Sequence, residues 1–148
     1  MKHYQVVAAV ILHEGKYLCM QKGATKYTYT SHKFEFPGGK IEPGETLQEA
    51  LVRELREEMD YEVFIEKELV TVHHQYPDFS LDLTAFLCRA SSTEFTLKEH
   101  ASYRWATKEE LPLLDWAAAD VGIVKALLPI VAEEEQVHGK HQEQEYKA

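Results

Sequence analysis

Residues 36–61 read FPGGKIEPGETLQEALVRELREEMDY, a glycine pair followed by a segment dense in glutamate. From Thr46 to Met59 the pattern is helical: Thr46 is an N-cap candidate, and Glu49 three residues on completes a capping box. At 3.6 residues per turn, Glu54, Glu57 and Glu58 stand at i, i+3 and i+4 and share one face. Leu51, Val52, Leu55 and Met59 take the adjoining face, which is expected to pack on a sheet. Three like charges at the seam between core and surface repel one another unless something positive lies among them. A solvated helix laced with i,i+4 ion pairs would account for the charges alone. It would leave the loop in front unexplained, because Gly38-Gly39 lets the backbone approach a ligand closely, where its carbonyls can become metal ligands. Carboxylate and carbonyl oxygens together suit a hard divalent cation such as Mg²⁺.

Outward from that segment, residues 4–12 and 16–22 are β-rich, and Glu14-Gly15 between them signals a hairpin turn. Residues 23–33, GATKYTYTSHK, form a polar loop with tyrosines, and FEF at 34–36 is a short strand running into the Pro37-Gly38-Gly39 break. Beyond the helix, strands are expected over about 61–74 and 80–90, parted by the turn YPDF, with another short strand at YRWA near 103. Residues 118–135 carry an amphipathic helical pattern, so one domain is expected over 1–135 with a polar tail at 136–148. The end of that tail, GKHQEQEYKA, has almost no apolar content and is expected to fray. Strands outnumber helices and a helix interrupts the strand order, which makes the fold class α+β.

A chain of 148 residues buries a sizeable core without metal or disulfide staples. A formal charge of −9 argues against a surface for nucleic-acid polymers but allows an anionic small ligand bridged by cations. The apolar run VVAAVIL at 6–12 is too short to cross a bilayer, and HEGK follows it without a small-residue cleavage site. Cys19 and Cys88 each lie in apolar, strand-like runs and read as reduced, buried thiols; a cytoplasmic protein without membrane attachment is expected. Competing chemistries fail on spacing. GGKIE lacks the upstream glycine and the Ser/Thr of a P-loop, and the eight histidines, His73-His74 included, form no H-E-x-x-H. No Ser-His-Asp or Cys-His arrangement stands out for covalent catalysis.

The run from Gly39 through Glu45 to Arg53-Glu54-Leu55, Glu57-Glu58 and Asp60-Tyr61 resembles the Nudix box, the signature of Nudix hydrolases. The departure is Asp60, where that family usually has glycine; aspartate reaches the left-handed conformation at a cost of roughly 1 kcal/mol. HKFEFPGGKIEPGE, YPDFSLDLTAFL and LPLLDWAAADVGIVKAL extend the likeness to MutT-type nucleoside triphosphate pyrophosphohydrolases. The resemblance implies a Nudix fold, an α/β/α sandwich with a mixed central sheet in which the box helix is held between two sheets. It implies Mg²⁺, with Mn²⁺ as a substitute, held by Glu54, Glu57, Glu58 and the Gly38 carbonyl. Arg53 would fix the glutamates by charge-assisted hydrogen bonds, and Glu45 would support the loop or bind metal through water. Glu99 falls where the branch places a further carboxylate outside the box, and Lys22 matches a basic position that contacts phosphate. The reaction implied is hydrolysis of a nucleoside triphosphate to monophosphate and pyrophosphate, with Glu54 or Glu99 as general base.

Base recognition needs directional hydrogen bonds and an aromatic slot. Phe36, Tyr76 and Phe79 are candidates for the slot, and Asp120, at the start of the last helix, for the hydrogen bonds. The oxidised-guanine-removing MutT enzyme uses an asparagine there, and this chain contains no asparagine. An ionised aspartate only accepts hydrogen bonds, which suits the exocyclic amine of cytosine; the same residue would alternatively just stabilise the positive end of the helix dipole. AADVGIV also resembles the CTP pyrophosphohydrolases of this branch. The expectation is therefore cytidine nucleotides (CTP, dCTP or 5-methyl forms) ahead of 8-oxo-dGTP. An ADP-ribose or dinucleoside polyphosphate hydrolase and a silent nucleotide-binding module stand further back, and either a monomer or a homodimer is compatible with the chain.

Overall fold

Strand β1 (Lys2–His13) runs through the middle of the molecule, and its uninterrupted apolar stretch has a simple cause: both of its faces are covered. A computed structural model describes residues 1–138, with side chains as far as Pro129. β1 pairs in parallel with β6 (Phe79–Arg89) along nearly its whole length, from Lys2 opposite Phe79 to Leu12 opposite Arg89. On its other side it is shared. Its end turns through Glu14 and Gly15, both at positive φ, into β2 (Lys16–Gln21), while Val6, Val7 and Ala8 pair with β4 (Gly38–Lys40). β3 (Phe34–Glu35) and β7 (Ser102–Ala106) both join β2, and β5 (Phe64–Gln75) pairs antiparallel with β6. The result is one mixed seven-stranded sheet with the path β3-β2-β1-β6-β5.

Alternation along β1 sorts its side chains onto two cores. Ala8, Val10 and Leu12 meet Ala119, Ile123, Val124 and Leu127 of helix α2 (Ala118–His138). Val7, Ala9 and Ile11 meet Ala50, Leu51, Leu55 and Met59 of helix α1 (Leu47–Met59). A helix therefore covers each face of the sheet, and the fold is the α/β/α sandwich of the α+β class. The expectation of two sheets gripping the box helix is corrected: α1 lies on one face of a single sheet.

Local signals held where they are local. Thr46 caps α1 with both hydrogen bonds of the capping box, and Asp60 ends it at φ 49°, its N–H donating to the Arg56 carbonyl at 3.1 Å. Three details differ. Val52 is 40% exposed instead of packed on the sheet, because one residue past Leu51 turns it 100° away from the core stripe. Gly38-Gly39 is a strand as well as a break, since β1 supplies its pairing. Helix α2 continues to His138, past the expected end at 135; the expected fraying at 139–148 lies outside the described residues. Among the described residues no helix is long and apolar enough to cross a membrane, and Cys19 and Cys88 are free and buried, which pushes both thiols up to about 12.

Candidate active site

The β1–β4 pairing brings the glycine pair beneath α1. A Cβ on Gly39 would lie 2.4 Å from the Glu54 carboxylate, so that carboxylate is seated directly against the glycine backbone. A Cβ on Gly38 would instead strike the Val7 carbonyl oxygen at 1.9 Å. The two glycines thus serve different ends: Gly38 admits the neighbouring strand, and Gly39 makes room for the Glu54 carboxylate.

Arg53, 19% exposed, spreads its guanidinium over the surrounding carboxylates. It grips Glu45 through Nε at 2.5 Å and Nη2 at 3.0 Å, and Nη1 donates to Glu54 at 2.9 Å and Glu57 at 3.2 Å. Nη2 also donates to the Lys40 carbonyl at 2.9 Å, which ties the loop to the helix. Arg53 holds the Glu45 carboxyl below the usual carboxylate range, helped by the Glu42 N–H that donates to it at 2.9 Å. Glu58 faces the cleft on the other side of Glu54. Burial first, then the neighbouring Glu54 carboxylate and the more distant charges of Glu35 and Glu99, push it up to about 8.

The three helix glutamates are not equivalent. Glu54 is 13% exposed and Glu57 60% exposed, and among the described residues no three His, Cys, Asp or Glu side chains already converge as a metal cage. The donors nevertheless fit a hard divalent cation: they are carboxylates, the Gly39 backbone leaves clearance for one of them, and Glu58 lies next to the Glu54 carboxylate, a pairing that positive charge would relieve.

A cleft of about 620 Å³ runs from this cluster across the sheet to the start of α2. Gly38, Gly39, Glu58, Glu99 and Lys22 line it at one end, and Phe36, Tyr76, Phe79 and Asp120 at the other. The structure thus gathers those candidates in one space, while Arg53, Glu45, Glu54 and Glu57 are not among the residues that line it. At the far end Asp120 is 6% exposed, and its Oδ2 accepts from the Phe36 N–H at 3.0 Å. Burial, then the charge of Glu35, push it well above the ordinary carboxylate range, a direction that runs against an ionised aspartate and toward the protonated form, which both donates and accepts. Phe36 stacks on Trp116 at 4.6 Å, and Tyr76 Oη accepts from the Ala119 N–H at 3.0 Å.

Several cleft residues escaped the sequence reading. Glu35 lies between the two ends, with Lys22 Nζ at 3.4 Å and His100 Nε2 at 2.8 Å. The alternation of FEF, which sends Glu35 to the opposite face from its phenylalanines, was the available signal. Tyr27 lines the cleft mouth and stacks on Tyr29, which stacks in turn on Tyr76, at 5.1 and 5.4 Å.

Comparison with known proteins places this geometry. A family model described as the NUDIX domain matches residues 2–127. The CTP pyrophosphohydrolase of Escherichia coli (strain K12) is 32% identical over 132 residues, spanning 89% of this chain and 96% of that protein. The 8-oxo-dGTP diphosphatase of the same strain is 29% identical over 127 residues, 86% and 98% of the two chains. The solution structure of an E. coli protein superposes with a TM-score of 0.76 at 30% identity, covering 90% of this chain and 94% of that one. The chain belongs to the Nudix hydrolase family.

Proposed function

We propose that this hydrolase splits nucleoside triphosphates into monophosphate and pyrophosphate and that cytidine nucleotides are its preferred substrates. The observation that carries the reading is the single cleft joining Glu58, Glu99 and Lys22 to Asp120 and Phe36. A triphosphate needs carboxylates and a cation at one end of its site and a base slot at the other, within one continuous space. Glu54, Glu57, Glu58 and the Gly38 carbonyl would hold Mg²⁺, or Mn²⁺ in its place. Bound there, a hard divalent cation offsets phosphate charge and lowers the pKa of a coordinated water.

The chain's own groups do the rest. Arg53 fixes Glu45, Glu54 and Glu57, and Lys22 turns from Glu35 to a phosphate oxygen. Glu99 or Glu54 takes the proton of the attacking water as its oxygen joins phosphorus and the anhydride bond to pyrophosphate breaks. Phe36, Tyr76 and Phe79 wall the base slot. Asp120 in its protonated form donates O–H to cytosine N3 and accepts from the exocyclic amine. The same carboxyl can donate to guanine O6 and accept from N1–H, which supports 8-oxo-dGTP as the second reading, alongside the 29% identical diphosphatase.

The test is a triphosphate panel (CTP, dCTP, 5-methyl-dCTP, dATP, dGTP, dTTP and 8-oxo-dGTP) read by phosphate release through coupled pyrophosphatase, with Mg²⁺ or with chelator. The cytidine forms are expected to lead in kcat/KM by about tenfold, the size of one well-made hydrogen bond to the base. A lead for 8-oxo-dGTP selects the second reading, and no pyrophosphate from any member removes the proposal.

A further inference from the structure

Glu99 is an exposed side chain in a stretch, residues 90–101, that contains no helix or strand. Without a backbone ladder to fix it, its position depends on what the neighbouring residues hold. Both immediate neighbours are tied. The His100 side chain is 6% exposed and its Nε2 meets Glu35 Oε2 at 2.8 Å, which fastens one side to β3. Lys98 Nζ lies 3.0 Å from Asp60 Oδ2 and donates to the Glu57 carbonyl at 3.4 Å, which fastens the other side to the C-terminal end of α1. Further back, Thr96 N–H donates to the Met59 carbonyl at 2.8 Å and Phe95 packs on Tyr61, with ring centroids 5.2 Å apart. The stretch bearing Glu99 is thus moored to the helix that carries Glu54, Glu57 and Glu58.

Asp60 is where this chain departs from the Nudix box. Its φ of 49° lies in the region that glycine enters freely and aspartate enters at a cost. What aspartate adds is the carboxylate that Lys98 meets. We infer that Asp60 and Lys98 form a latch, and that both are positioning residues holding the Glu99 carboxylate in register with the box glutamates. The inference rests on the reading of Glu99 as a carboxylate of the reaction.

An exposed ion pair carries little stability by itself, whereas a reacting group displaced by about 1 Å loses up to on the order of 100-fold in rate. The latch therefore shows in kcat and hardly in KM or melting. With dCTP and 8-oxo-dGTP as substrates at saturating Mg²⁺, Asp60→Gly and Lys98→Met are each expected to lower kcat about 5- to 20-fold, with KM within about twofold of wild type. The double variant falls no further than the weaker single, because both substitutions cut the same link. Lys98→Arg retains activity. Asp60→Gly melts no lower than wild type, since glycine suits the left-handed position. Wild-type kcat in Asp60→Gly and Lys98→Met, with Glu99→Gln down about 100-fold, overturns the latch while leaving the role of Glu99 standing. A loss confined to KM overturns it as well. Wild-type kcat in Glu99→Gln removes the reading of Glu99 and the latch together.

Discussion

Beside one end of the cleft Glu54 and Glu58 stand a turn apart, with Arg53 bonded to Glu54 and Glu58 pushed up to about 8; at the other, Asp120, 6% exposed, accepts from the Phe36 N–H. Both ends raise a carboxyl above its ordinary range, and burial leads at both. The settings differ in what surrounds the group. Around Glu58 the next influences are carboxylates, a deficit that added positive charge relieves. Around Asp120 the Glu35 carboxylate also pushes upward, but the backbone N–H of Phe36 and the charge of Lys22 pull the other way, and Phe36, Tyr76 and Phe79 supply aromatic wall. The first environment favours ionisation once a cation arrives; the second favours a carboxyl that keeps its proton and can donate it in a hydrogen bond. One functional group thus meets two different settings, and the proposed tasks of the two ends follow from that difference.

The sharpest way to break that contrast is to remove charge at the first end without removing bulk. Glu54→Gln keeps an oxygen for Arg53 but loses the anion, and kcat is expected to fall about 1,000-fold with a much smaller change in KM. Steady-state kinetics against Mg²⁺ concentration check it, and activity that survives undiminished removes Glu54 from the metal site. Next in size is the glycine pair. Gly39→Ala drives a methyl into the Glu54 carboxylate, so kcat drops on the order of 100-fold while melting changes little. Gly38→Ala meets backbone of β1, which cannot swing aside, so its larger effect is on melting. Equal effects of the two substitutions on melting and on kcat would erase the division of labour drawn between them.

How much of this was legible beforehand follows from the range of each interaction. The Thr46–Glu49 capping box, the Glu14-Gly15 turn and the left-handed Asp60 depend on residues a few positions apart, and all three stand as read. The position of Gly38-Gly39 in the sheet depends on β1, thirty positions earlier, and glycine has no strand propensity to announce it. Val52 was misplaced because a helical face has an edge, and only the sheet decides where that edge falls. At the site, the spacing of Glu54, Glu57 and Glu58 was visible but their inequality was not, since exposure is a property of the assembled fold. Glu35 and His100 meet across 65 positions, and the upward push on the Asp120 carboxyl comes from burial; neither leaves a mark on its own stretch of chain.

A smaller effect tests the far end. Asp120→Asn preserves size, but with its oxygen held by the Phe36 N–H it turns toward the base a nitrogen that only donates, and the exocyclic amine of cytosine loses its acceptor. The ratio of kcat/KM for dCTP over 8-oxo-dGTP is expected to move about tenfold toward the purine, with kcat on the better substrate little changed. An unchanged ratio removes Asp120 as the base reader and leaves it a buried brace for Phe36.

The smallest expected effect tests the near end through protons. In the metal-free protein burial and the Glu54 carboxylate push Glu58 up to about 8, which favours a proton at neutral pH that a cation must displace. For one such group, apparent Mg²⁺ affinity should rise about fivefold from pH 7 to pH 8 and less than about twofold from pH 8 to pH 9. Calorimetric titration in buffers of different ionisation enthalpy counts the proton directly. The same shift fixes a sign for stability. The folded pKa lies above that of an unfolded glutamate, so the native state binds more protons between the two values, and metal-free stability declines as pH rises through about 8. Saturating Mg²⁺ is expected to flatten that decline in thermal melts at pH 6 to 9, because the added positive charge offsets the carboxylate repulsion that causes it. A decline that persists with the cation bound would mean that Glu58 faces other carboxylates and no metal, and the contrast between the two ends of the cleft would then rest on Asp120 alone.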